Sequence, residues 1–529
     1  MTALASQLPS PLTSIEVGPG ASAPPGFLAA YPGYESTALL DRLREAEYAY
    51  LDAGRHVYLD YAGAGLPAHA QLIEHAERIQ RQPFGNPHSE NPTSAASTEL
   101  IERARHAVLA HFNAPAAEYA AILTANATAA CRLVAEAYPF GPSTRLVLTS
   151  DNHNSVNGIR EFARARGAVT HYVPFCSPDL RVDDEAVRQA LAHRKAVPLE
   201  AVWRAAVTPR AGRAARARRQ RPFSAQGAAP RRRGLLAYPA QSNFSGVQHP
   251  MRWIEMAHEH GYEVLLDAAA YVPTHRLDLS EVKPDFVPVS WYKVFGYPTG
   301  VGCLIAQREA LARLRRPAFA GGSVYLAGVQ GDWHTLRPAE EGFEDGTPSF
   351  LQIPDLEAGL AWVNGIGIDR IHLRVMSLTG WLIDRLAALR HGNGQPMVRL
   401  YGPANTRDRG ATVTFNLLDP GGHVVDERHV ARSSAAARIS IRTGCFCNPG
   451  ASEAASQLSR HVLRAAARAR PETMDQYVEL LGLPSGGALR ASLGIASNVA
   501  DVEHLLAFVE TVYRDRVISA AGLTPRQGC

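Results

Sequence analysis

The stretch that decides the fold spans residues 264–302. It contains Leu-Leu-Asp-Ala-Ala-Ala, ending at Ala270, and Val-Ser-Trp-Tyr-Lys-Val-Phe-Gly, ending at Gly296. Asp267 ends one short apolar run, and Lys293 follows another 26 residues later. In open α/β sheets, ligands bind outside the carboxyl ends of the strands. We therefore expect the two side chains to reach a common ligand at one edge of a sheet.

Short apolar runs alternate with helical stretches through the first two thirds of the chain. Strands separated by helices favour a mostly parallel sheet with helices on both faces. Strands are predicted at residues 119–124, 145–149, 169–174, 234–238, 263–267 and 286–290, and helices at 125–137, 156–166 and 251–261.

The pattern changes beyond about residue 350. Strands are predicted at 398–401, 411–417 and 439–442, and helices at 360–389 and 499–514. We therefore predict a large α/β domain over residues 46–350 and a smaller α+β domain over 351–529. The segment 1–45 begins with a stretch rich in Ala, Pro, Ser and Gly, and we predict that it is flexible.

The overall composition is that of an ordinary globular chain. Its 529 residues are 46% hydrophobic and 20% charged, as in most soluble domains. The sequence contains no run of about 18 apolar residues, so no transmembrane helix is predicted. The first basic residue, Arg42, follows Glu16, Glu35 and Asp41, which fits neither a secretory signal nor a mitochondrial presequence. We expect a cytosolic protein without membrane contacts.

One arginine-rich segment accounts for the positive net charge. Residues 204–233 hold ten arginines and no acidic residue, so without them the net charge of +4 becomes −6. The total charge therefore does not predict a nucleic-acid partner. For residues 201–233 we favour a disordered surface insertion or an error in the gene model over a tail for an anionic partner.

An aspartate and a lysine at two strand ends suit a pyridine cofactor such as pyridoxal 5'-phosphate. The Lys293 amine would hold the aldehyde as an imine, and Asp267 would keep the ring nitrogen protonated so that the ring accepts electrons. The pair alone is weak evidence, because a strand-end aspartate is often a helix cap and a lysine is usually a solvated surface charge.

Three further polar residues lie at the ends of predicted strands. Thr128 opens a helix after the strand 119–124, and a helix start offers N–H groups and a positive dipole to a phosphate. Ser290 adds a second hydroxyl. His153 follows the strand 145–149, where an imidazole can stack on a pyridine ring. Each also fits a purely structural role, as a first-turn helix residue or a loop histidine.

The six cysteines do not form a disulfide framework in a chain of this length. Cys445 and Cys447 form a tight Cys-Phe-Cys pair, whereas the other four are scattered. A structural zinc site usually needs Cys-x-x-Cys and a second matching pair, which the sequence lacks. No metal site is predicted, and the pair requires another explanation.

Taken together, these segments resemble the class V aminotransferase family, and within it the cysteine desulfurases and the amino-terminal, desulfurase-like part of the molybdenum cofactor sulfurases. Besides the Lys293 segment, the motifs are Tyr-Leu-Asp-Tyr-Ala-Gly-Ala at 58–64, Asn-Pro-His-Ser at 86–89, Ala-Tyr-Pro-Ala-Gln-Ser-Asn-Phe-Ser-Gly at 237–246, Phe-Glu-Asp-Gly-Thr at 343–347 and Arg-Thr-Gly-Cys-Phe-Cys-Asn-Pro-Gly at 442–450. The motifs containing Asn243 and Cys447 are specific to the sulfurases. The others are shared more widely in the family.

The resemblance implies a fold-type I pyridoxal-phosphate transferase that forms a homodimer, with the active site at the subunit interface. The residues it assigns are Lys293 for the cofactor aldehyde, Asp267 for the ring nitrogen, His153 for ring stacking, Thr128 and Ser290 for the phosphate, Ser323 for the phosphate of the partner subunit, Asn243, Arg490 and Arg442 for the substrate, and Cys447 for a persulfide. Cys445 is the competing candidate for the persulfide.

The activity it implies is removal of sulfur from L-cysteine and its delivery, through Cys447, to the molybdenum cofactor of a molybdoenzyme. Tyr292 and Ala270 depart from the common desulfurase pattern, which has histidine and glutamine there. The chain also ends before the carboxy-terminal domain of full sulfurases. A desulfurase for another acceptor and a class V lyase or transaminase without a thiol step are therefore alternatives. Joint retention of Lys293, Asp267 and Arg490 argues against a non-enzymatic binding module.

Overall fold

The computed structural model describes residues 24–526, apart from 88, 177 and 194–232. Its strands are β1 Val57–Tyr58, β2 Tyr119–Thr124, β3 Arg145–Thr149, β4 Val169–Val173, β5 Phe175–Cys176, β6 Arg181–Val182, β7 Gly234–Pro239, β8 Tyr262–Asp267, β9 Phe286–Ser290, β10 Gly302–Gln307, β11 Val324–Gly328, β12 Trp333–Leu336, β13 Val398–Tyr401, β14 Thr412–Leu417, β15 Ile439–Ser440, β16 Arg442–Gly444 and β17 Ala488–Ser492.

The α-helices of the described residues vary from one turn to more than five turns. They are Phe27–Ala30, Leu39–Glu47, Ala49–Ala53, His69–Arg81, Pro92–His111, Ala127–Ala137, Asn154–Asn157, Ile159–Ala165, Asp184–Ala192, Arg252–Glu259, Trp291–Phe295, Arg308–Arg313, Asp355–Ile366, Ile368–Ala388, Glu427–Ala436, Pro449–Ala455, Arg460–Ala469, Met474–Leu480 and Val499–Tyr513. Two 3-10 helices cover Pro32–Thr37 and Ala339–Phe343.

A seven-stranded sheet lies at the centre of the first two thirds of the chain, in the order β2-β10-β9-β8-β7-β3-β4. Pairs from β9 to β4 are parallel, whereas β10 runs antiparallel to both β2 and β9. The predicted mostly parallel sheet is therefore confirmed, with one antiparallel strand that the sequence analysis missed.

The central strands β7, β8 and β9 are buried at every residue. Helices cover both faces of the sheet, so neighbouring residues of one strand enter different cores: Leu236 packs on one side and Leu235 on the other. This is why the strands read as continuous apolar runs rather than as alternating patterns. Asp267 and Ser290 end two of these strands at the same edge of the sheet.

The second region has a four-stranded antiparallel sheet in the order β13-β14-β17-β16. Helices Asp355–Ile366 and Ile368–Ala388 replace the single helix predicted over 360–389. Gly367 separates them with φ 89°, a left-handed conformation that glycine adopts at little cost and that ends the first helix.

Residues 24–45 are ordered, which corrects that part of the prediction of a flexible segment over 1–45. Residues 24–47 form short helices, and Phe27 is fully buried. Its ring packs edge-on against Trp381, with centroids 5.5 Å apart, and β1 pairs in parallel with β15. The start of the described chain therefore packs against its C-terminal half. Residues 1–23 lie outside the described residues.

The predicted arginine-rich insert, 201–233, also lies outside the described residues except for Arg233. Across the ranges that the structure describes, no helix is both long enough and apolar enough to cross a membrane.

A buried ion network joins the first helices to the last one. Arg44 Nη1 lies 2.6 Å from Asp501 Oδ2, and Arg44 Nη2 lies 2.9 Å from Asp52 Oδ1. Removing one partner of a buried pair leaves an uncompensated charge and typically costs about 3–5 kcal/mol. We expect Arg44→Met to lower the free energy of unfolding by about this amount in urea denaturation. The exposed Arg42→Met is the control, and equal losses for the two variants would contradict a specific role of the network.

Candidate active site

A cavity of about 150 Å³ opens at the carboxyl ends of β8 and β9. Six residues predicted from the sequence line it: Thr128, His153, Asn243, Asp267, Ser290 and Lys293. Four polar residues that the sequence analysis did not assign to the site line it too: Asn126, Ser155, Gln241 and Tyr292. Distant parts of the chain therefore converge where ligands of open α/β sheets bind.

Lys293 lies on the short helix Trp291–Phe295, directly after β9. Enclosure by protein lowers the pKa of its amine below the ordinary value of 10.5. The Asp267 carboxylate opposes this effect, and the Arg490 guanidinium adds to it. The arrangement favours a neutral amine, which is the form that attacks a carbonyl carbon.

The lowered pKa of Lys293 leads to a pH prediction. Only the neutral amine reacts with an aldehyde, so uptake of pyridoxal phosphate by the apoprotein is expected to rise with pH and level off below 10.5. The measurement is the rate of absorbance change at a series of pH values. Nα-acetyl-lysine, whose amine is solvated, is the control. A profile for the protein that is still rising at pH 10.5 would contradict the lowered pKa.

Asp267 and His153 both line the cavity, Asp267 at the end of β8 and His153 in the loop after β3. Asp267 is 8% exposed, and its Oδ1 accepts a hydrogen bond from Ala269 N at 3.0 Å. His153 Nδ1 accepts one from Ser155 N at 3.1 Å, which assigns the ring proton to Nε2. Burial is the largest cause that lowers the pKa of His153. A neutral imidazole beside a carboxylate suits a pyridinium ring.

The start of the helix Ala127–Ala137 forms one end of the cavity. Ala127 N donates a hydrogen bond to Ser290 Oγ at 2.9 Å, and Thr128 Oγ1 lies 2.7 Å from Ser155 Oγ. Hydroxyl groups at a helix N-terminus suit a phosphate. The cavity therefore offers an amine, a carboxylate, an imidazole and hydrogen-bond donors for a phosphate. These groups fit the predicted pyridoxal phosphate.

Arg490 lies on β17 and is only 2% exposed. Its Nη1 donates to the carbonyl oxygen of Asn243 at 3.0 Å, and its Nη2 donates to Asp60 Oδ1 at 3.1 Å. No hydrogen-bond partner for its Nε is found among the described residues. Burial lowers the pKa of Arg490, while Asp60 opposes that effect. A buried guanidinium with a donor to spare suits a substrate carboxylate.

Arg442 lies on the solvent side of the same carboxylate. Its Nε donates to Asp60 Oδ2 at 3.0 Å, and its side chain is 49% exposed. Asp60 therefore joins both predicted arginines, although the sequence analysis did not single it out. Its place in the quoted motif at 58–64 was the available signal.

Cys447 is an exposed free thiol that does not itself line the cavity, but its loop is hydrogen-bonded to Asn243, which does. Asn243 Nδ2 donates to Phe446 O at 2.7 Å, and Asn154 N donates to Cys447 O at 2.7 Å. Phe446 and Cys447 both have φ 55°, a left-handed conformation uncommon for such residues. Cys445 is disulfide-bonded, so Cys447 is the free thiol of the pair.

Ser323 does not line the cavity of its own chain. It is fully buried, and its Oγ donates to Ala320 O at 2.9 Å and accepts from Ala320 N at 3.0 Å. Its contact with a phosphate of the partner subunit stays a prediction.

Comparison with known proteins agrees with these motifs. A sequence model of the family Aminotransferase class-V matches residues 57–199 and 224–505. A molybdenum cofactor sulfurase of Arabidopsis thaliana is 35% identical over 499 residues, which cover 90% of this chain and 59% of that protein. The molybdenum cofactor sulfurase of Homo sapiens is 35% identical over 493 residues, or 89% of this chain and 51% of that one. The chain thus spans between about half and three-fifths of these relatives, and the predicted resemblance is confirmed.

Two solved structures have the same fold. An apo cysteine desulfurase from Thermococcus onnurineus NA1 superposes with a TM-score of 0.67 at 21% identity, covering 89% of this chain and 97% of that one. An S-sulfonic acid form of a cysteine desulfurase from Escherichia coli gives 0.62 at 21% identity, covering 89% and 98%. The predicted fold-type I class is confirmed. With residues 57–199 and 224–505 matched by the family model, the chain belongs to the class V aminotransferase family.

Proposed function

We propose that this chain takes sulfur from L-cysteine with the help of pyridoxal 5'-phosphate and passes it, as a persulfide on Cys447, to the molybdenum cofactor. One observation carries the proposal: the free thiol of Cys447 lies on a loop bound to the rim of the cavity that contains Lys293. A lyase or transaminase without a thiol step has no use for that placement. The similarity to proteins named molybdenum cofactor sulfurase supports the choice of acceptor.

Residues of the cavity would hold the cofactor at three points. The Lys293 amine would bind its aldehyde carbon, Asp267 its ring nitrogen, and the start of the helix Ala127–Ala137 its phosphate. When bound, the cofactor supplies a ring that accepts the electrons left on the substrate carbon when its proton is removed.

The chain's own residues then bind the substrate and move its proton and sulfur. Arg490 and Asn243 bind the carboxylate of L-cysteine, and the neutral Lys293 amine takes the proton from Cα. The Cys447 thiolate attacks the substrate sulfur, so that an S–S bond forms as the C–S bond breaks. Cβ of the substrate keeps the electron pair of the broken C–S bond and takes up a proton, Lys293 returns the proton to Cα, and the product leaves as alanine.

Mass spectrometry after incubation with L-cysteine tests the first half of the proposal. We expect Cys447 to gain about 32 Da, the mass of one sulfur atom. The second half is tested by reactivation of desulfo xanthine dehydrogenase with the persulfide-bearing protein. Release of pyruvate and sulfide without any persulfide would favour the lyase, and a persulfide without reactivation would favour another acceptor.

We also propose that the protein is a homodimer. The hairpin β11–β12 and the loop before it expose apolar side chains, including Tyr325 at 66%, Val329 at 97% and Trp333 at 50%. A patch of this kind usually marks an interaction surface, and most oligomers pair two identical copies. Ser323 directly precedes this hairpin, which supports its predicted contact with the partner's cofactor.

Size-exclusion chromatography with light scattering tests the dimer by measuring the molar mass of the protein in solution. We expect twice the chain mass of 57.1 kDa for the unchanged protein and for Val517→Asp, which charges a similarly exposed valine outside the hairpin. Val329→Asp is expected to shift the mass toward the monomer, because dimerisation would bury the new charge. A monomeric unchanged protein would contradict the proposal.

A further inference from the structure

A buried cluster around Asp151 lies next to the Cys447 loop. Asp151 is fully buried, and its Oδ1 accepts hydrogen bonds from Ser242 Oγ at 2.8 Å and Asn448 Nδ2 at 2.7 Å. Its Oδ2 lies 3.0 Å from His249 Nε2. No arginine or lysine of the described ranges forms an ion pair with it. A buried carboxylate without such a partner depends on its hydrogen bonds.

Asn448 connects this cluster to the thiol, since it is the next residue after Cys447. Its Nδ2 also lies 3.0 Å from Asn243 Oδ1, and its Oδ1 accepts from Ala451 N at 3.2 Å, which caps the helix Pro449–Ala455. Both atoms of one buried amide are therefore engaged, and the orientation of the residue is fixed.

The helix that follows Cys447 also packs closely against the segment that carries Asp151. A Cβ on Gly450 would lie 2.0 Å from the carbonyl oxygen of Ser150. Only glycine permits this approach, so the loop is docked by backbone contact as well as by hydrogen bonds.

We propose that Asp151 is a positioning residue for the sulfur-transfer step and acts through Asn448 on the loop that carries Cys447. The inference rests on the function proposed above. The Asp151 carboxylate, with Ser242 and His249 behind it, holds the Asn448 amide. That amide fixes the position of the preceding residue, Cys447, whose backbone is left-handed at φ 55°. Attack on sulfur needs aligned atoms, and a displacement of about 1 Å can cost about 100-fold in rate.

Two variants break the link in different ways. Asp151→Ala removes the acceptor of the Asn448 amide. Asn448→Asp keeps the oxygen that caps Ala451 but places a second carboxylate against Asp151. Asp151→Asn is the conservative rescue, because its amide oxygen can accept from Ser242 and Asn448 while its NH2 group donates to His249 Nε2. The matched control is Asp285→Ala, a buried aspartate 2.8 Å from His258 Nε2 that lies outside the cavity.

Two readouts separate this inference from the proposed function. Hydrogen exchange of the peptide covering residues 445–448 reports the loop whether or not sulfur is transferred. The rate at which Cys447 gains a sulfur atom reports the reaction. We expect Asp151→Ala and Asn448→Asp to exchange the peptide faster and to lose at least about tenfold in persulfide rate. The absorbance change on L-cysteine binding is expected to persist, Asp151→Asn to stay within about threefold of the unchanged protein, and Asp285→Ala to leave both readouts unchanged.

The positioning role fails if Asp151→Ala and Asn448→Asp leave exchange of the 445–448 peptide unchanged. It also fails if Asp285→Ala slows the persulfide rate as much as they do. Should Asp151→Ala not fold, Asn448→Asp and Asp151→Asn decide the question. Absence of persulfide in the unchanged protein would instead reject the proposed function, while the exchange measurement would still test the link.

Discussion

Lys293→Ala is expected to remove the visible absorbance of the purified holoprotein and to lower alanine release from L-cysteine by about 1,000-fold. The amine is both the group that would hold the cofactor and the base that takes the proton from Cα. Burial lowers the pKa of this amine. Among the described residues, no other lysine lines the cavity, so none can replace it. Absorbance spectra and a coupled alanine assay provide the measurement.

The matched control for this variant is Lys283→Ala. Lys283 is 47% exposed and forms a surface ion pair with Glu118 at 2.7 Å, so its loss is expected to leave both readouts near those of the unchanged protein. Colour that persists in Lys293→Ala after borohydride treatment and dialysis would contradict the assignment of the cofactor to Lys293.

Cys447→Ser is expected to lower multiple-turnover alanine release by at least about 100-fold while the cofactor stays bound. Serine keeps nearly the same size but provides no thiolate to attack the substrate sulfur. The absorbance spectrum should therefore match that of the unchanged protein, and no residue of the Cys447 peptide should gain the mass of a sulfur atom.

Two other cysteines serve as controls. Cys176 is also exposed and free but lies on β5, outside the loop that is hydrogen-bonded to Asn243, so Cys176→Ser should keep full activity. Cys445→Ser tests the competing candidate and should still form the persulfide on Cys447. Full alanine release by Cys447→Ser would contradict the role of Cys447, and release of pyruvate and sulfide in place of alanine would assign the reaction to a lyase that uses no protein thiol.

The parallel strands could be predicted almost to the residue. The apolar runs at 119–124 and 286–290 coincide with β2 and β9, because a strand covered on both faces has no polar positions to blur its limits. The antiparallel β10 could not be placed in this way. Its position depends on pairing with β2, whose residues are far away along the chain and give no local signal.

The site could be predicted where residues lie at strand ends, as Asp267 and Lys293 do. It could not be predicted where the role arises from contacts across the chain. Asp151 is contacted by Asn448 from 297 positions away, and Asp60 by Arg442 from 382 positions away. Their residue types are common in loops and turns, so only the assembled structure distinguishes them.

The pairing of β1 with β15 also sets an order of assembly during synthesis on the ribosome. Asp60 leaves the ribosome long before Arg442, and at about 5–20 residues per second the interval is roughly 20–80 s. Until residue 381 is released, Phe27 in the first described helix lacks the ring of Trp381, against which it packs in the folded chain. The nascent chain therefore exposes apolar side chains near its first described residues for much of that interval, and Arg490 joins Asp60 only when β17 is released.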